Sequence, residues 1–302
     1  MIVDCHTHIW ENPSQVNPAT IGIATRRGRT SEGNGNGWPD ASIEEHSRAT
    51  DPVDRAFVIG FKSRYLGVQV ANEFIFDYVR RRPEKLIGVA GIDPTHVDEA
   101  LEELEKSHRE FGMKAIAVSP AAQDFHPSDS RAMQVFSEAA RLQKPVFIQQ
   151  GIHFNAAAKM EFARPSLLDE VARDLPQLRM VIAHMGYPWT DECVVLLGKH
   201  PNVFADIASL IHRPWQAYNA LLAAYQYGVI DKLLFGSDFP FGTPTRAIES
   251  LYRINHLVTG TNLPTIPRQS LVSIVERDAL GLLGIESAVG APPTSVLSDS
   301  EP

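Results

Sequence analysis

Short runs of apolar and β-branched residues alternate along the chain with longer segments of helical periodicity. Eight runs have the length and composition of strands: residues 2–5, 55–59, 86–91, 115–118, 146–149, 180–183, 203–206 and 232–236. Segments with helical periodicity lie between or after them: residues 74–82, 97–111, 131–143, 166–175, 216–227, 247–256 and 268–283. Strands that alternate with helices indicate βαβ units, and therefore a parallel sheet.

The number of units favours a closed barrel over an open sheet. Eight strand–helix units over about 250 residues match the size of a (β/α)8 barrel. A doubly wound open sheet is the alternative with the same alternation. Polar residues cluster directly after the first, fifth, sixth and eighth predicted strands. In a barrel these strand ends share one mouth, whereas an open sheet would spread them along an edge. We therefore predict an α/β fold, a (β/α)8 TIM barrel.

Two segments fall outside this alternation. Residues 9–51 make a long connection after the first strand, and a loop of this length is typically a lid or a disordered segment. A lid over the mouth and a loop without a role are equally compatible with the sequence. Residues 287–302 are rich in Ser and Pro, which predicts a disordered tail. We expect a single barrel domain over residues 1–286, with a lid-like insertion at 9–51.

Composition and charge narrow the class of partner. The chain has 302 residues and a formal net charge of -8, which argues against a nucleic-acid partner because such proteins usually carry a basic face. Cys5 and Cys193 are the only cysteines, too few for a disulfide framework, which favours the cytoplasm. The sequence contains neither a signal-peptide pattern nor an apolar stretch of roughly 18 residues. We expect a cytoplasmic protein with a small-molecule substrate and no nucleic-acid or membrane partner; a homo-oligomer is compatible with these features.

Histidines and an aspartate follow the predicted strands. His6 and His8 lie two residues apart after the first run, so the alternation of a strand puts both imidazoles on one face. His184 follows the sixth run directly, and Asp238 lies just past the eighth. Taken alone, His184 is also compatible with a structural histidine, and Asp238 with a turn or helix-capping residue. Together the four residues predict a divalent-metal site at the barrel mouth.

The motifs around these residues resemble those of one enzyme superfamily. They are Asp4-Cys-His-Thr-His8, Ala71-Asn72 at a helix start, residues 88–94, Ala183-His-Met-Gly186 and Gly236-Ser-Asp-Phe-Pro240. In this order they resemble the amidohydrolase superfamily, and more closely its amidohydrolase-related branch (amidohydrolase 2), which includes aminocarboxymuconate-semialdehyde decarboxylase. The resemblance implies a (β/α)8 barrel of the metal-dependent hydrolase type. It also implies a divalent metal, often zinc, bound by His6, His8 and Asp238, with His184 in the site.

The sequence departs from the family pattern at two strands. In the family the fifth strand usually ends in a metal-binding histidine, but here Gln149 stands at that position. An amide oxygen is a much weaker ligand for zinc than an imidazole nitrogen. The fourth strand often carries a lysine that bridges two metals, and here Ala117 fills that position, with Lys114 nearer the start of the strand. We therefore expect one metal ion instead of two.

Three arrangements are open for the missing ligand. His184 is a candidate for direct coordination, and His153, four residues beyond Gln149, is another source of a nitrogen. In the third arrangement the site binds metal weakly or not at all, as in the metal-independent lactonases of the superfamily. We prefer a single divalent ion, Zn2+, on the ligands implied by the resemblance, with Gln149 as a weak ligand or His184 completing the set.

The predicted activity is that of a metal-dependent hydrolase acting on a small carboxylate-bearing ester, lactone or amide through metal-activated water. Asp238 is expected to carry the proton, and His184 to polarise the substrate carbonyl. Arg164, Arg64 and His153 are expected to bind the substrate, with Arg164 as the preferred bidentate clamp for its carboxylate. The first alternative is a metal-dependent decarboxylase of a small aromatic or unsaturated acid. The second is a catalytically impaired barrel that acts as a binding protein.

Overall fold

Eight parallel strands pair in their order along the chain. The computed structural model describes residues 1–11, 14–16, 39–151, 153 and 155–285. The barrel strands are β1 (Val3–Thr7), β2 (Arg55–Ile59), β3 (Leu86–Gly91), β4 (Ala115–Val118), β5 (Val146–Ile148), β6 (Met180–Ile182), β7 (Val203–Asp206) and β8 (Leu233–Leu234). A separate antiparallel hairpin, Lys62–Ser63 with Val68–Gln69, follows β2.

Hydrogen bonds join the last strand segment to the first and close the sheet. The backbone N–H of Cys5 donates to the carbonyl of Phe235 at 2.9 Å. Further along, the N–H of Asp238 donates to the carbonyl of His6 at 3.0 Å. The predicted (β/α)8 barrel is therefore confirmed, and the open-sheet alternative is excluded.

Helices cover the outside of the barrel. In the described part of the chain they are α1 (Ile43–Ala49), α2 (Asn72–Val79), α3 (Val97–Arg109), α4 (Pro120–Gln123), α5 (Ser130–Arg141), α6 (Leu168–Asp174), α7 (Thr190–Lys199), α8 (Pro214–Gln226), α9 (Pro244–Tyr252), α10 (Arg268–Val275) and α11 (Ala279–Leu282). Several start at a side-chain cap, as α5 does where Asp129 accepts from the backbone N–H of Arg131 at 2.9 Å. Their apolar faces pack on the outward side chains of the strands.

Two apolar clusters separate the inside of the barrel from its shell. Alternate strand residues such as Phe57 and Phe147 form the interior cluster. Leu280 and Leu283, at the end of the described chain, pack in the same cluster with Val3 at the start of β1. One end of the barrel is thus filled by apolar side chains. The polar residues predicted to carry chemistry lie at the opposite, C-terminal ends of the strands.

The observed strands differ from the predicted ones at their ends, the predicted helices are offset by up to four residues, and α7 lies where no helix was predicted. Four predicted strands match β2, β3, β4 and β7, whereas β5 and β6 each end one residue earlier than predicted. The strand β1 continues to Thr7 although its apolar run ends at Cys5, and β8 is shorter than residues 232–236. The predicted helix 268–283 divides into α10 and α11, because Asp278 caps the second helix by accepting from the N–H of Gly281.

Most of the predicted lid cannot be compared with the structure. Residues 12–13 and 17–38 of the 9–51 insertion lie outside the described residues, and so do residues 286–302, which contain the predicted tail. The described part of the insertion contains α1, whose first turn is capped by Ser42. Among the described residues, none of the helices has the length and apolar character of a membrane span.

Candidate metal centre

An extra residue in β1 turns its histidines into the barrel mouth. Cys5 packs in the interior cluster, so an unbroken alternation would direct the next side chain outward. The register between β1 and β2 is irregular between Asp4 and Thr7, where β1 advances by one more residue than its partner. Such a bulge shifts the phase of the alternation. As a result His6 and His8 face the interior side of the mouth, with their Nε2 atoms 3.1 Å apart.

Three imidazoles at the mouth have their Nδ1 atoms occupied by protein acceptors. In His6, Nδ1 lies 2.8 Å from the Asp206 carboxylate. In His8 and His184, Nδ1 lies 3.0 Å and 2.8 Å from backbone carbonyl oxygens. Carboxylate and carbonyl oxygens only accept hydrogen bonds, so the ring hydrogen of each histidine is on Nδ1. Each Nε2 is left with a lone pair.

The resulting donor set fits a divalent cation. The Nε2 atoms of His6 and His8 lie 3.1 Å apart, and while both rings are neutral neither atom can donate to the other. A shared proton or a metal ion is needed to make this arrangement favourable. Ligand atoms of His6, His184 and Asp238 all lie within 4.8 Å of one another. Imidazole nitrogens with a carboxylate oxygen are a common ligand set for zinc and related ions.

Asp206, at the end of β7, holds two parts of this arrangement together. One of its carboxylate oxygens accepts from the His6 ring, and the other accepts from the backbone N–H of His184 at 2.9 Å. Sequence reasoning assigned no role to Asp206. The available signal was its position two residues after Phe204, whose side chain lies in the interior cluster. An acidic residue in that phase at a strand end faces the barrel mouth.

The backbone is left-handed at two of the residues, His184 with φ 56° and Asp238 with φ 63°. For residues other than glycine this region costs roughly 1–2 kcal/mol, so it persists where the surrounding structure enforces it. The contact of the last strand segment with β1 also requires Gly236. A Cβ atom there would lie 2.9 Å from Cβ of His6, which is closer than carbon atoms approach. These turns bring the Asp238 carboxylate beside the imidazoles.

A family model described as amidohydrolase matches residues 3–261 of the chain. The protein belongs to the amidohydrolase family. This match covers most of the chain and confirms the resemblance drawn from the strand-end motifs. A comparison with curated proteins finds no match.

Solved structures with low sequence identity to this amidohydrolase share its fold. A TIM-barrel protein of Bordetella bronchiseptica has a TM-score of 0.73 and 19% identity, covering 94% of this chain and 98% of its own. A probable 2-pyrone-4,6-dicarboxylic acid hydrolase of Acinetobacter baumannii, with citric acid bound, has a TM-score of 0.61 and 17% identity, covering 94% and 99%. A dihydroxybenzoic acid decarboxylase of Polaromonas, with bound manganese and an inhibitor, has a TM-score of 0.64 and 14% identity, covering 94% and 97%.

Burial and neighbouring charges set the protonation of the centre in this amidohydrolase. Burial opposes ionisation of Asp206, but the charge of His6 and hydrogen bonds from both histidines outweigh it and hold its pKa well below the usual range. Burial also disfavours a charged His6, yet the charge and hydrogen bond of Asp206 raise its pKa above the ordinary value. Burial lowers the pKa of His8 to about 4. At neutral pH His8 therefore keeps its lone pair.

Gln149 follows β5 directly, at the position where the family usually has a metal-binding histidine. Phe147, two residues earlier, packs in the interior cluster, so the alternation turns Gln149 into the mouth. Its side-chain nitrogen lies 2.9 Å from Nε2 of His184. The structure thus places Gln149 against His184, and its assignment as a weak ligand stays a prediction.

The three residues predicted to bind substrate lie in loops. Arg164 donates from Nε to Glu192 at 3.0 Å, and Arg64 forms an ion pair with Glu99. Both guanidinium groups are about half exposed. His153 lies in the loop after β5, where burial lowers its pKa to about 4. Both arginines are thus engaged by glutamates, and the substrate contacts of all three residues stay predictions.

Proposed function

We propose that this amidohydrolase is a metal-dependent hydrolase of a small ester, lactone or amide that carries a carboxylate. One observation carries the proposal, the convergence of the His6, His8 and His184 imidazoles and the Asp238 carboxylate at the barrel mouth. Each of the three rings is fixed by an acceptor at Nδ1, which is how proteins hold metal-binding histidines. Hydrolysis is the wider class of reaction among such barrels, and it is the reaction for which the family is named.

His6, His8 and Asp238 are the proposed ligands of a single divalent ion, which we take to be Zn2+. Two imidazole nitrogens and a carboxylate oxygen suit zinc and leave a position open for water or substrate. When bound, the ion supplies a lowered water pKa and polarisation of a carbonyl oxygen. Ala117, on β4, packs against the interior cluster at the position of the bridging lysine, so the proposal contains one ion.

Asp238 is the proposed proton carrier. Its side chain is only 6% exposed, so a water molecule at the carboxylate is shielded from bulk solvent. The carboxylate accepts a proton from that water as it attacks the substrate carbonyl. It then delivers the proton to the leaving oxygen or nitrogen, which completes hydrolysis.

His184 is proposed to stabilise the oxyanion that develops on the substrate carbonyl. Because its Nδ1 hydrogen is given to a backbone carbonyl, this contact requires a proton on Nε2, which replaces the hydrogen bond that Nε2 makes with Gln149 in the structure.

Turnover by an Asp238→Asn variant tests the role of the proposed proton carrier. With a panel of carboxylate-bearing lactones, esters and amides, we expect kcat to fall by roughly 10²–10⁴-fold because the amide cannot carry the proton. The matched control is Asp98→Asn on the exposed face of α3, which should keep wild-type turnover. Unchanged turnover in Asp238→Asn would exclude this residue as the proton carrier. No turnover of any substrate by wild type would favour a binding protein.

Decarboxylation is the second candidate, because several structurally similar proteins are described as decarboxylases of dihydroxybenzoate or 5-carboxyvanillate. The same residues serve both reactions, so the products must separate them. We expect a hydrolysed or ring-opened acid with retention of every carboxylate of the substrate. Release of one equivalent of carbon dioxide from an aromatic acid, with no hydrolysis of the panel, would replace the hydrolase proposal with the decarboxylase.

A further inference from the structure

The contact between Gln149 and His184 joins two residues of the candidate metal centre. The side-chain nitrogen of Gln149 lies 2.9 Å from Nε2 of His184, which is hydrogen-bonding distance. On the other side of the ring, Nδ1 of His184 lies 2.8 Å from the carbonyl oxygen of Ala208. Both nitrogens of this imidazole are therefore occupied by protein groups.

The chemistry of the two contacts fixes their direction. A carbonyl oxygen only accepts, so Nδ1 of His184 donates to Ala208 and Nε2 presents a lone pair. Of the two ends of the Gln149 amide, only the NH2 group can meet a lone pair. The amide nitrogen is therefore the donor, and the amide oxygen is turned away from Nε2 of His184.

We infer that Gln149 is a positioning residue that keeps His184 out of the metal coordination sphere. One lone pair cannot accept the Gln149 hydrogen bond and bind a cation at the same time. With His184 engaged in this way, the ion has His6, His8 and Asp238 as its protein ligands. This inference rests on the proposed metal centre. It assigns a role to Gln149, which stands where the family usually has a metal-binding histidine.

Removal of the Gln149 amide should increase the affinity of the protein for metal. In a Gln149→Leu variant the lone pair of His184 becomes available, and an imidazole nitrogen adds to the ligand set. The opposite assignment, in which the amide oxygen of Gln149 is itself a ligand, predicts a decrease. The sign of the change therefore separates the two roles.

The test is the dissociation constant for Zn2+, measured by chelator competition on metal-stripped protein. Four proteins are compared: wild type, Gln149→Leu, His184→Ala and the double variant. We expect Gln149→Leu to bind Zn2+ at least roughly tenfold more tightly than wild type. This gain should be absent when the double variant is compared with His184→Ala, because it acts through the His184 ring. A general change in packing would not depend on His184 in this way.

Each outcome bears on one of the two proposals. If wild type binds Zn2+ and Gln149→Leu binds it equally or more weakly, the inference is wrong while the metal centre stands. The same holds if the gain persists without His184. If none of the four folded proteins binds Zn2+, the proposed metal-dependent function fails. Gln149→Ala repeats the comparison should the leucine variant not fold, as judged by circular dichroism and thermal unfolding.

Discussion

At the scale of single residues, the site depends on where hydrogens lie on three imidazole rings. Asp206 and two backbone carbonyls take the Nδ1 hydrogens, and the lone pairs of Nε2 consequently point into the mouth. The sequence indicated which histidines and which aspartate follow the strands. It could not indicate their acceptors, because the partner of His6 lies 200 positions away along the chain. That pairing depends on which strands become neighbours.

Replacement of Asp206 by asparagine tests the contribution of the acceptor at His6. An amide oxygen is neutral and a weaker acceptor than a carboxylate. The His6 ring is therefore held less firmly in its orientation, and its Nε2 becomes less basic. We expect the affinity for Zn2+ to fall by roughly 10–100-fold, measured by chelator competition. Asp206 is fully buried, so thermal unfolding of the variant must show a folded protein before affinities are compared. An unchanged affinity in folded Asp206→Asn would contradict this role.

A buried histidine outside the metal centre gives a pH-dependent prediction. His46 lies 2.7 Å from the hydroxyl of Thr7 and 2.9 Å from the hydroxyl of Tyr78, and burial lowers its pKa to about 3. The ordinary pKa of about 6.5 applies in the unfolded chain, so the unfolded state takes up the proton first as pH falls. The free energy of unfolding should therefore fall by up to about 1.4 kcal/mol per pH unit below pH ~6.5 through His46.

The comparison is between wild type and His46→Gln in urea unfolding at several pH values. Both proteins are measured from pH ~8, where the histidine is neutral in both states, down to pH ~4.5. We expect the wild-type free energy of unfolding to fall more steeply, whatever the offset between the proteins at pH ~8. Parallel curves for the two proteins would show that His46 is not held neutral in the native state.

At the scale of elements, hydrophobic pattern predicted strands well where both faces are buried. The strands β2, β3, β4 and β7 have the predicted bounds, because apolar residues fill both the barrel and its shell. The pattern failed at the ends of β1 and β8. The strand β1 continues through polar residues past its apolar run, whereas β8 ends before its predicted bound; both ends are stabilised by contacts that are not local in sequence. Both strand ends belong to the candidate metal centre. The bulge in β1 and the left-handed residues His184 and Asp238 position the side chains of that centre.

Gly236 tests how closely the β8 segment must approach β1. A Cβ atom in Gly236→Ala would lie 2.9 Å from Cβ of His6 and 3.0 Å from Cβ of Ala208. We expect the variant to lose about 1–3 kcal/mol of unfolding free energy and to bind Zn2+ more weakly, since His6 must move. Urea unfolding and chelator competition measure the two effects.

The control for this substitution is Gly198→Ala on α7. The nearest atom to a new Cβ there is a Val229 methyl at 3.6 Å, which is ordinary contact. Alanine is the better helix former, so this variant should be as stable as wild type or up to about 1 kcal/mol more stable. Equal behaviour of the two alanine variants would mean that the approach at Gly236 is not required.

At the scale of the whole molecule, the candidate centre lies where the barrel closes. The N–H of Ser237 donates to the carboxylate of Asp4, 233 positions away, at 2.9 Å. The ligand atoms of His6 and Asp238 come from the same two segments. An ion bound there would cross-link the first and last strands of the sheet. Composition and strand count predicted the barrel, but they held no information on which side chains meet where it closes.

Thermal unfolding with and without metal tests the coupling. A ligand at a hundredfold excess over its dissociation constant adds about 2.7 kcal/mol to the stability of the folded state. For a chain of 302 residues, we expect Zn2+ to raise the midpoint of chelator-treated protein by roughly 4 °C. The increase should largely disappear in Asp238→Asn. An equal increase in that variant would assign the stabilisation to ions bound elsewhere.

The most direct test of the metal centre is the metal-to-protein ratio of wild type purified without chelator and supplied with Zn2+. Mass spectrometry of the elements in the dialysed protein gives this ratio. The lone pairs of His6 and His8 and the Asp238 carboxylate at the mouth predict close to one equivalent of divalent metal per chain. A folded protein that retains well under one equivalent would contradict the account.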